Sequence, residues 1–393
     1  VPLSPLWLIV PIALLLYGLT LLVLELRHRL RPASPLQLAP GRFVVSPQAQ
    51  SLVVEGTITI RNPHRRMEVF VPELGIATTL LGQADLEGVT VRSRITALHP
   101  DAEARADGYW AAYIVKGRKS TQARIQVTIE TGQRDPLALL DTLWLELNWV
   151  NYGPFGRLQR RDGFLVALSS PTAAGMTQPD WRAGESCRVL PLKTHLLGVL
   201  DDPLQVLQDY GGQHLQPGDV LTIGETPLAV MQGRYHHPST VHPSALARLL
   251  CRVFHPTSSL ATACGLQSLI DLVGPARVLN AWLVGTLLKT LGFKGWFYRL
   301  AGEQARLIDD VTGTTPPYDQ TIVLGPIAPQ SFCEQAAAAL GVGVAVVDVN
   351  DLGRVKVLAA SRGCDPNLLQ RALRPNPAGN ADERTPLVLV RPA

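Results

Sequence analysis

Residues 1–24 carry no charged side chain, and residues 6–24 form an apolar run about as long as the helix that crosses a hydrocarbon core of about 30 Å. The run ends in Glu25, Arg27, His28, Arg29 and Arg31. A cleaved signal peptide would start with basic residues, have a shorter apolar stretch and end in a small-residue cleavage site, so the pattern reads as a retained anchor over residues 1–31. Arg27, Arg29 and Arg31 directly after the span, with no Lys or Arg before it, predict a single-pass membrane protein whose C-terminal side is cytoplasmic.

The composition agrees with this reading. Only 17% of the 393 residues are charged, against about 25% in ordinary soluble chains, while the apolar share of 46% is usual. A net charge of +4, without a cluster of Lys and Arg among aromatic residues, argues against a nucleic-acid partner. The five cysteines form no Cys-x-x-Cys pair and are odd in number, as expected of reduced thiols in a cytoplasmic domain.

After Pro32, Pro35 and Pro40, residues 43–168 predict an all-β, sandwich-like domain. Strands are expected at 51–60, 67–74, 89–98, 109–115, 123–131 and 143–150, where β-branched and aromatic residues alternate with polar ones. Nothing in this region has metal-ligand or nucleophile spacing, which suits a structural or partner-binding module. Residues 169–187 read as a linker. From 188 to 393, strands at 188–192, 219–223, 229–232, 321–324, 342–349, 355–360 and 387–390 alternate with helices at 203–210, 244–254, 259–273, 277–291 and 330–340. That order predicts a mixed α/β (α+β) domain. Residues 276–293 are apolar enough to suggest a second span, but Arg277 and Lys289 leave too short an uncharged run, so a buried or amphipathic helix is expected.

Several common signatures are absent: a Gly-x-x-x-x-Gly-Lys-Ser/Thr phosphate loop, a complete Gly-x-Gly-x-x-Gly and a zinc-type ligand set. What remains is a set of acids at strand ends. Asp309 and Asp310 follow Ala-Arg-Leu-Ile, and Asp348, Asn350 and Asp351 follow an apolar strand and precede Leu-Gly-Arg354. Carboxylates placed this way hold Mg²⁺ or Mn²⁺ together with substrate phosphates; they also cap turns and helix starts, and both readings stand. Lys193 and Thr194, then Asp219, Glu225 and Arg234, place charged and hydroxyl groups beside tight turns, where an anionic substrate would find donors.

The order Pro191-Leu-Lys193-Thr194-His, Gly218-Asp219, Gly233-Arg234, Leu-Ile-Asp309-Asp310 and Asp351-Leu-Gly353-Arg354 resembles the coenzyme F420-0:gamma-glutamyl ligase family. The stretch from about 188 to the C-terminus looks most like its membrane-anchored, cyanobacterial-type branch. The resemblance implies an enzyme that uses GTP and Mg²⁺ or Mn²⁺ to activate a substrate carboxylate (coenzyme F420-0 or similar) as an acyl phosphate, which the amine of L-glutamate attacks. By motif it implies Asp309, Asp351 and the adjacent Asp310 as metal residues, Lys193, Thr194, Asp219, Glu225, Arg234 and Arg354 near nucleotide or substrate, and a homodimer. The family's Asp-Thr-x-Gly-Arg element is one residue shorter here and lacks its Thr, and its Glu-Gly-Arg is Gln232-Gly233-Arg234. A second hypothesis is therefore a catalytically degenerate membrane scaffold or assembly factor that binds partners through the β-domain.

Overall fold

The computed structural model describes residues 6–29, 31, 35–82, 85–169, 179–311, 316–350, 353–379 and 383–393. Asp351 and much of the expected linker lie outside them. Helix α1 (Leu6–Arg29) continues through Pro11 and gathers Arg27, His28 and Arg29 in its last turn, where cations meet the negative end of the helix dipole. Its stretch Ile9–Arg29 is not buried in the protein. Its length and apolarity suit a membrane span and equally a signal sequence.

A β-rich, sandwich-like region follows. Its strands are β1 (Gln37–Pro47), β2 (Ser51–Arg61), β3 (Val69–Val71), β4 (Leu74–Leu81), β5 (Thr90–Leu98), β6 (Tyr113–Val115) and β7 (Ser120–Glu130). The short helix α2 (Pro136–Leu139) then leads to β8 (Thr142–Gly153) and β9 (Gly156–Ala167). One sheet runs β1-β2-β7-β5; the other runs β4-β8-β3-β6, with β9 paired to β8. Alternation decides which face is buried: Leu52, Val54, Ile58 and Ile60 of β2 and Ala123, Ile125, Val127 and Ile129 of β7 point inward to meet Leu143, Leu145 and Leu147 of β8. Strand β1 begins at Gln37, before the residue 43 at which the β-domain was expected to start. Pro40 is accommodated because β1 is an edge strand whose register shifts between Pro40 and Phe43. The hairpin β8–β9 also runs further than the expected strand at 143–150.

The C-terminal region is mixed α/β, as expected. Its elements are β10 (Arg182–Gly184), β11 (Cys187–Leu192), α3 (Pro203–Gly211), β12 (Val220–Gly224), α4 (Glu225–Met231), β13 (Tyr235–His236), α5 (Ala245–Leu250), α6 (Ala263–Val273), α7 (Pro275–Thr290), α8 (Trp296–Ala301), β14 (Asp309–Asp310), β15 (Ile322–Val323), α9 (Pro329–Leu340), β16 (Gly343–Val349), β17 (Val355–Ala360), α10 (Pro366–Leu373) and β18 (Leu387–Pro392). The main sheet runs β10-β11-β18-β12-β16-β17, with β12 and β16 parallel, and a small sheet runs β13-β15-β14. Both faces of the main sheet are covered. Leu221, Ile223, Val344 and Val346 pack with Val206, Leu207 and Tyr210 of α3 and Cys333 and Ala336 of α9; Val220, Ala345, Val347 and Val388 pack with Leu369, Ala372 and Leu373 of α10. Strands buried on both faces read as unbroken apolar runs, which is why β16 and β18 were plain in the sequence. Residues 229–232, expected as a strand, instead end helix α4 and enter the turn after it: a short buried apolar run fits either state, and Pro227 in the first turn favours a helix. Strand β10 occupies residues expected to be linker.

The two regions meet over α4. Leu165 of β9 packs with Ala229, Val230, Tyr318 and Val323, and Trp144 and Tyr235 border this cluster. The Trp144 and Tyr318 rings meet edge to face with centroids 5.8 Å apart, and the Tyr318 hydroxyl donates to the Leu197 carbonyl at 3.1 Å. Gly163 leaves room for Trp144, whose ring a Cβ at that position would strike. Arg384 donates to Asp141 of the β-rich region at 3.2 Å, and the Arg161 backbone N–H donates to Ser239 Oγ at 3.0 Å. Leu165→Ala would remove a fully enclosed side chain shared by both regions, so it is expected to cost about 2–5 kcal/mol in chemical denaturation. Hydrogen exchange should then rise in α4 as well as β9; a rise confined to β9 would show that the regions are not coupled there.

Candidate functional site

A cleft of about 600 Å³ opens where the parallel strands β12 and β16 end. Gly224 and Val347 are register partners, so the next residues, Glu225 and Asp348, emerge from neighbouring strands at their carboxyl ends, a common position for ligand-binding groups. Asp309 reaches the same cleft from β14, held by pairing with β15. Thr194, His195, Asn350, Tyr318 and Arg384 complete much of the polar wall, and Val230 and Leu196 bring the inter-region cluster to its edge.

The three acids repel one another. Burial, followed by the charges of Asp348 and Asp309, pushes the Glu225 carboxyl up to about 8, with Lys356 acting in the opposite direction. Burial, then Asp348, raises Asp309 to about 6. Asp309 is nevertheless exposed to solvent in the open cleft, so water filling the cleft screens part of that rise. Lys356 also lies 3.8 Å from Glu303. Crowded carboxylates at the mouth of a polar cleft have the donor chemistry of a Mg²⁺ or Mn²⁺ site, which uses one or two carboxylates and completes its shell with water and phosphate oxygens. Among the described residues no group of three His, Cys, Asp or Glu side chains forms a ready-made cage. The donor set therefore fits a metal shared with substrate better than a structural ion.

The expected residues divide clearly. Asp309, Glu225 and Thr194 line the cleft. Asp310 does not: strand alternation turns it away, and its carboxylate accepts from Thr262 Oγ1 at the start of α6. Asp219 sits at the opposite end of β12, buried, and accepts from Arg391 at 2.9 and 2.7 Å. Arg234 is partly buried near β15 and donates through Nε to the Gly325 carbonyl at 3.2 Å. Lys193 is exposed beside Thr194 but does not line the cleft; Arg354 is exposed in the β16–β17 turn, where its backbone N–H donates to Asn350 Oδ1 at 3.1 Å. Asp351 lies outside the described residues.

Two contributors were less visible in the sequence. Asp348 was one of several acids after an apolar strand, and only the parallel register singles it out. His195 lines the cleft and is held from both sides, by the Tyr210 hydroxyl at 2.5 Å from Nδ1 and by Asp201 at 3.0 Å from Nε2. Both partners come from sequence downstream of the strand end that carries His195, so no local spacing marks the trio. Such an arrangement orients an imidazole and can pass a proton between its two sides.

The acids also give a pH signature. Both carboxyls are raised above ordinary values of 4.5 and 3.8, so folding favours their protonated forms. Their stabilising contribution is complete below those ordinary values and is lost as pH rises through about 6 for Asp309 and about 8 for Glu225. Metal-free protein should therefore lose thermal stability between mildly acidic and mildly alkaline pH. Glu225→Gln should flatten that slope, and Asp348→Asn should lower both midpoints in a carboxyl-carbon NMR titration. Unmoved midpoints would show that the three groups do not share a site.

Comparison with known proteins bears mainly on the β-rich region. Residues 37–170 match the family model described as F420-0:gamma-glutamyl ligase, N-terminal Ig-like domain. No curated protein matches the chain. Among solved structures, the CupB6 tip adhesin from Pseudomonas aeruginosa aligns with 11% identity and a TM-score of 0.19, over 38% of this chain and 59% of that one, a likeness too slight to inform the fold. The match is to the N-terminal Ig-like domain of that family and covers residues 37–170, about a third of the chain.

Proposed function

We propose that the chain is a membrane-anchored ligase of the cyanobacterial-type branch of that family, forming an amide between a substrate carboxylate, coenzyme F420-0 or a similar acid, and the amine of L-glutamate. The observation that carries the proposal is the convergence of Glu225, Asp309 and Asp348 on one cleft, in a chain whose Ig-like region matches that family. In this reading the substrate carboxylate attacks the terminal phosphorus of GTP, releasing GDP. The glutamate amine then attacks the acyl carbon, and inorganic phosphate leaves.

Asp309, with Glu225 and Asp348, would hold Mg²⁺ or Mn²⁺, which neutralises phosphate charge when bound. Arg384, fixed by Asp141, would offer a guanidinium to an anionic substrate in the same cleft. His195, with both ring nitrogens engaged by Tyr210 and Asp201, would hold the cleft wall in place, and the proton that the attacking ammonium must lose would pass to water in the cleft. Helix α1 would hold the enzyme at the bilayer with its C-terminal regions on the cytoplasmic side.

One observation favours the second reading, a degenerate scaffold: Lys193, Asp219, Arg234 and Arg354 do not line the cleft. The assay that separates the two uses the purified full chain with GTP, L-glutamate and coenzyme F420-0, with and without Mn²⁺. The ligase reading predicts glutamate-dependent GDP release only with metal. It also predicts that Asp309→Asn lowers the rate by about 100-fold or more, the scale of losing a group that stabilises transition-state charge. Turnover without metal, or turnover unchanged in Asp309→Asn, would contradict it; no turnover, with cellular function intact in Asp309→Asn, would support the scaffold.

A further inference from the structure

Helix α7 is apolar on sides that the protein does not cover. It starts at Pro275 after Gly274 and buries Val278, Ala281 and Gly285, a single stripe at helical spacing. Gly285 allows that stripe to sit tightly on α8, since a Cβ there would stand 2.9 Å from the Phe297 backbone nitrogen. On other faces, Leu279, Leu283, Leu287 and Leu291 recur every fourth residue and are 38%, 51%, 62% and 65% exposed, and Val284 and Phe293 add to them. Leu249 and Val253, at the end of α5, are exposed as well. Phe254, the next residue, packs on Phe297 of α8. A contiguous ridge of this kind on a folded domain marks an interaction surface.

Charge indicates what covers it. From α5 to α8 the chain holds Arg248, Arg252, Arg277, Lys289, Lys294 and Arg299 against the single acid Asp271, so this segment is more positive than the whole chain at +4. Lys289 and Lys294 flank Leu291 and Phe293, the arrangement in which lysine stems lie along an apolar surface and their ammonium groups reach headgroups. Position agrees. His28, in the last turn of α1, stacks on Phe155 with ring centroids 4.8 Å apart, and Phe155 lies 5.9 Å from His242, just before α5. The end of the apolar helix thus adjoins the start of the α5–α8 segment.

We propose that the α5–α8 segment docks on the surface of an anionic bilayer, with the α7 leucine ridge in the headgroup boundary and its lysines on lipid phosphates. The inference rests on the reading of α1 as a membrane span, and adds a second, peripheral contact that would hold the cleft at a set orientation to the membrane.

The test uses the full chain in nanodiscs holding one copy each, made of phosphatidylcholine alone or mixed with phosphatidylglycerol. The readout is hydrogen exchange over residues 283–294. The expected result is at least about tenfold slower exchange in the anionic discs, abolished in Leu283→Asp/Leu287→Asp and weakened several-fold in Lys289→Gln/Lys294→Gln, since each cation near such a surface contributes about fivefold. These side chains are exposed, and an unchanged circular dichroism spectrum would verify folding. Equal exchange in both kinds of disc and in detergent would overturn the docking while leaving the anchor intact. Protection in detergent that grows with protein concentration would overturn it in favour of a second copy of the chain. A chain that does not enter discs at all would overturn the anchor, and this inference with it.

Discussion

The cleft depends on the apolar contact between Leu165 of the Ig-like region and Val230 and Tyr318 of the C-terminal region. Helix α4 begins with Glu225 and continues with residues committed to two cores: Leu228 and Met231 pack under the main sheet, while Ala229 and Val230 pack against β9. Its first residue is held because the rest of the helix has nowhere else to go. Tyr318, which also lines the cleft, is fixed in the same way, with its ring in the cluster and its hydroxyl on Leu197. A β-rich module that supplies no ligand to the cleft can still set its geometry by acting as its backing.

Electrostatics point the same way. Burial first, and then the charges of acidic neighbours, raises the Glu225 and Asp309 carboxyls, so placing them with Asp348 is unfavourable in the absence of a cation. Asp219 and Asp310 show the contrast. Both are buried away from the cleft and held by a partner, Asp219 by Arg391 and Asp310 by Thr262, whose hydrogen bond offsets part of the rise that burial gives the Asp310 carboxyl, and so both serve the fold. Residues that strain electrostatically at an opening, rather than those that are simply acidic, separate a site from its scaffold.

Much of the fold was legible in the sequence because alternation and unbroken apolar runs are local signals. β2, β7, β16 and β18 announce themselves, as does the uncharged stretch of α1. The first strand was obscured by Pro40, whose tolerance at an edge is a property of the sheet, and α4 was misread because four buried apolar residues carry no period. The site was only partly legible. Asp309 stands out as an acid at a strand end and Glu225 as a charge beside a tight turn, but the first reaches the cleft from β14 and the second from the end of β12, two elements of different sheets. The parallel pairing of β12 with β16, across more than a hundred residues, sets Asp348 beside Glu225, and long-range contacts of this kind leave no local trace. The trio of Asp201, His195 and Tyr210 lies within 16 residues, but its members belong to a loop and helix α3 and follow no recognised spacing, and adjacency in sequence places Asp310 beside Asp309 although the strand turns them to opposite sides.

The proposed ligase site requires a divalent metal held by one or two of the cleft carboxylates, Asp309 among them, and shared with a phosphate-bearing substrate. The most direct measurement is the anomalous scattering of Mn²⁺ in crystals of the full chain grown with a non-hydrolysable GTP analogue. The account predicts a peak in the cleft within about 2–2.5 Å of an Asp309 carboxylate oxygen and of a nucleotide phosphate oxygen. Nucleotide bound with its metal away from Asp309, Glu225 and Asp348, or bound there with no metal at all, would contradict it.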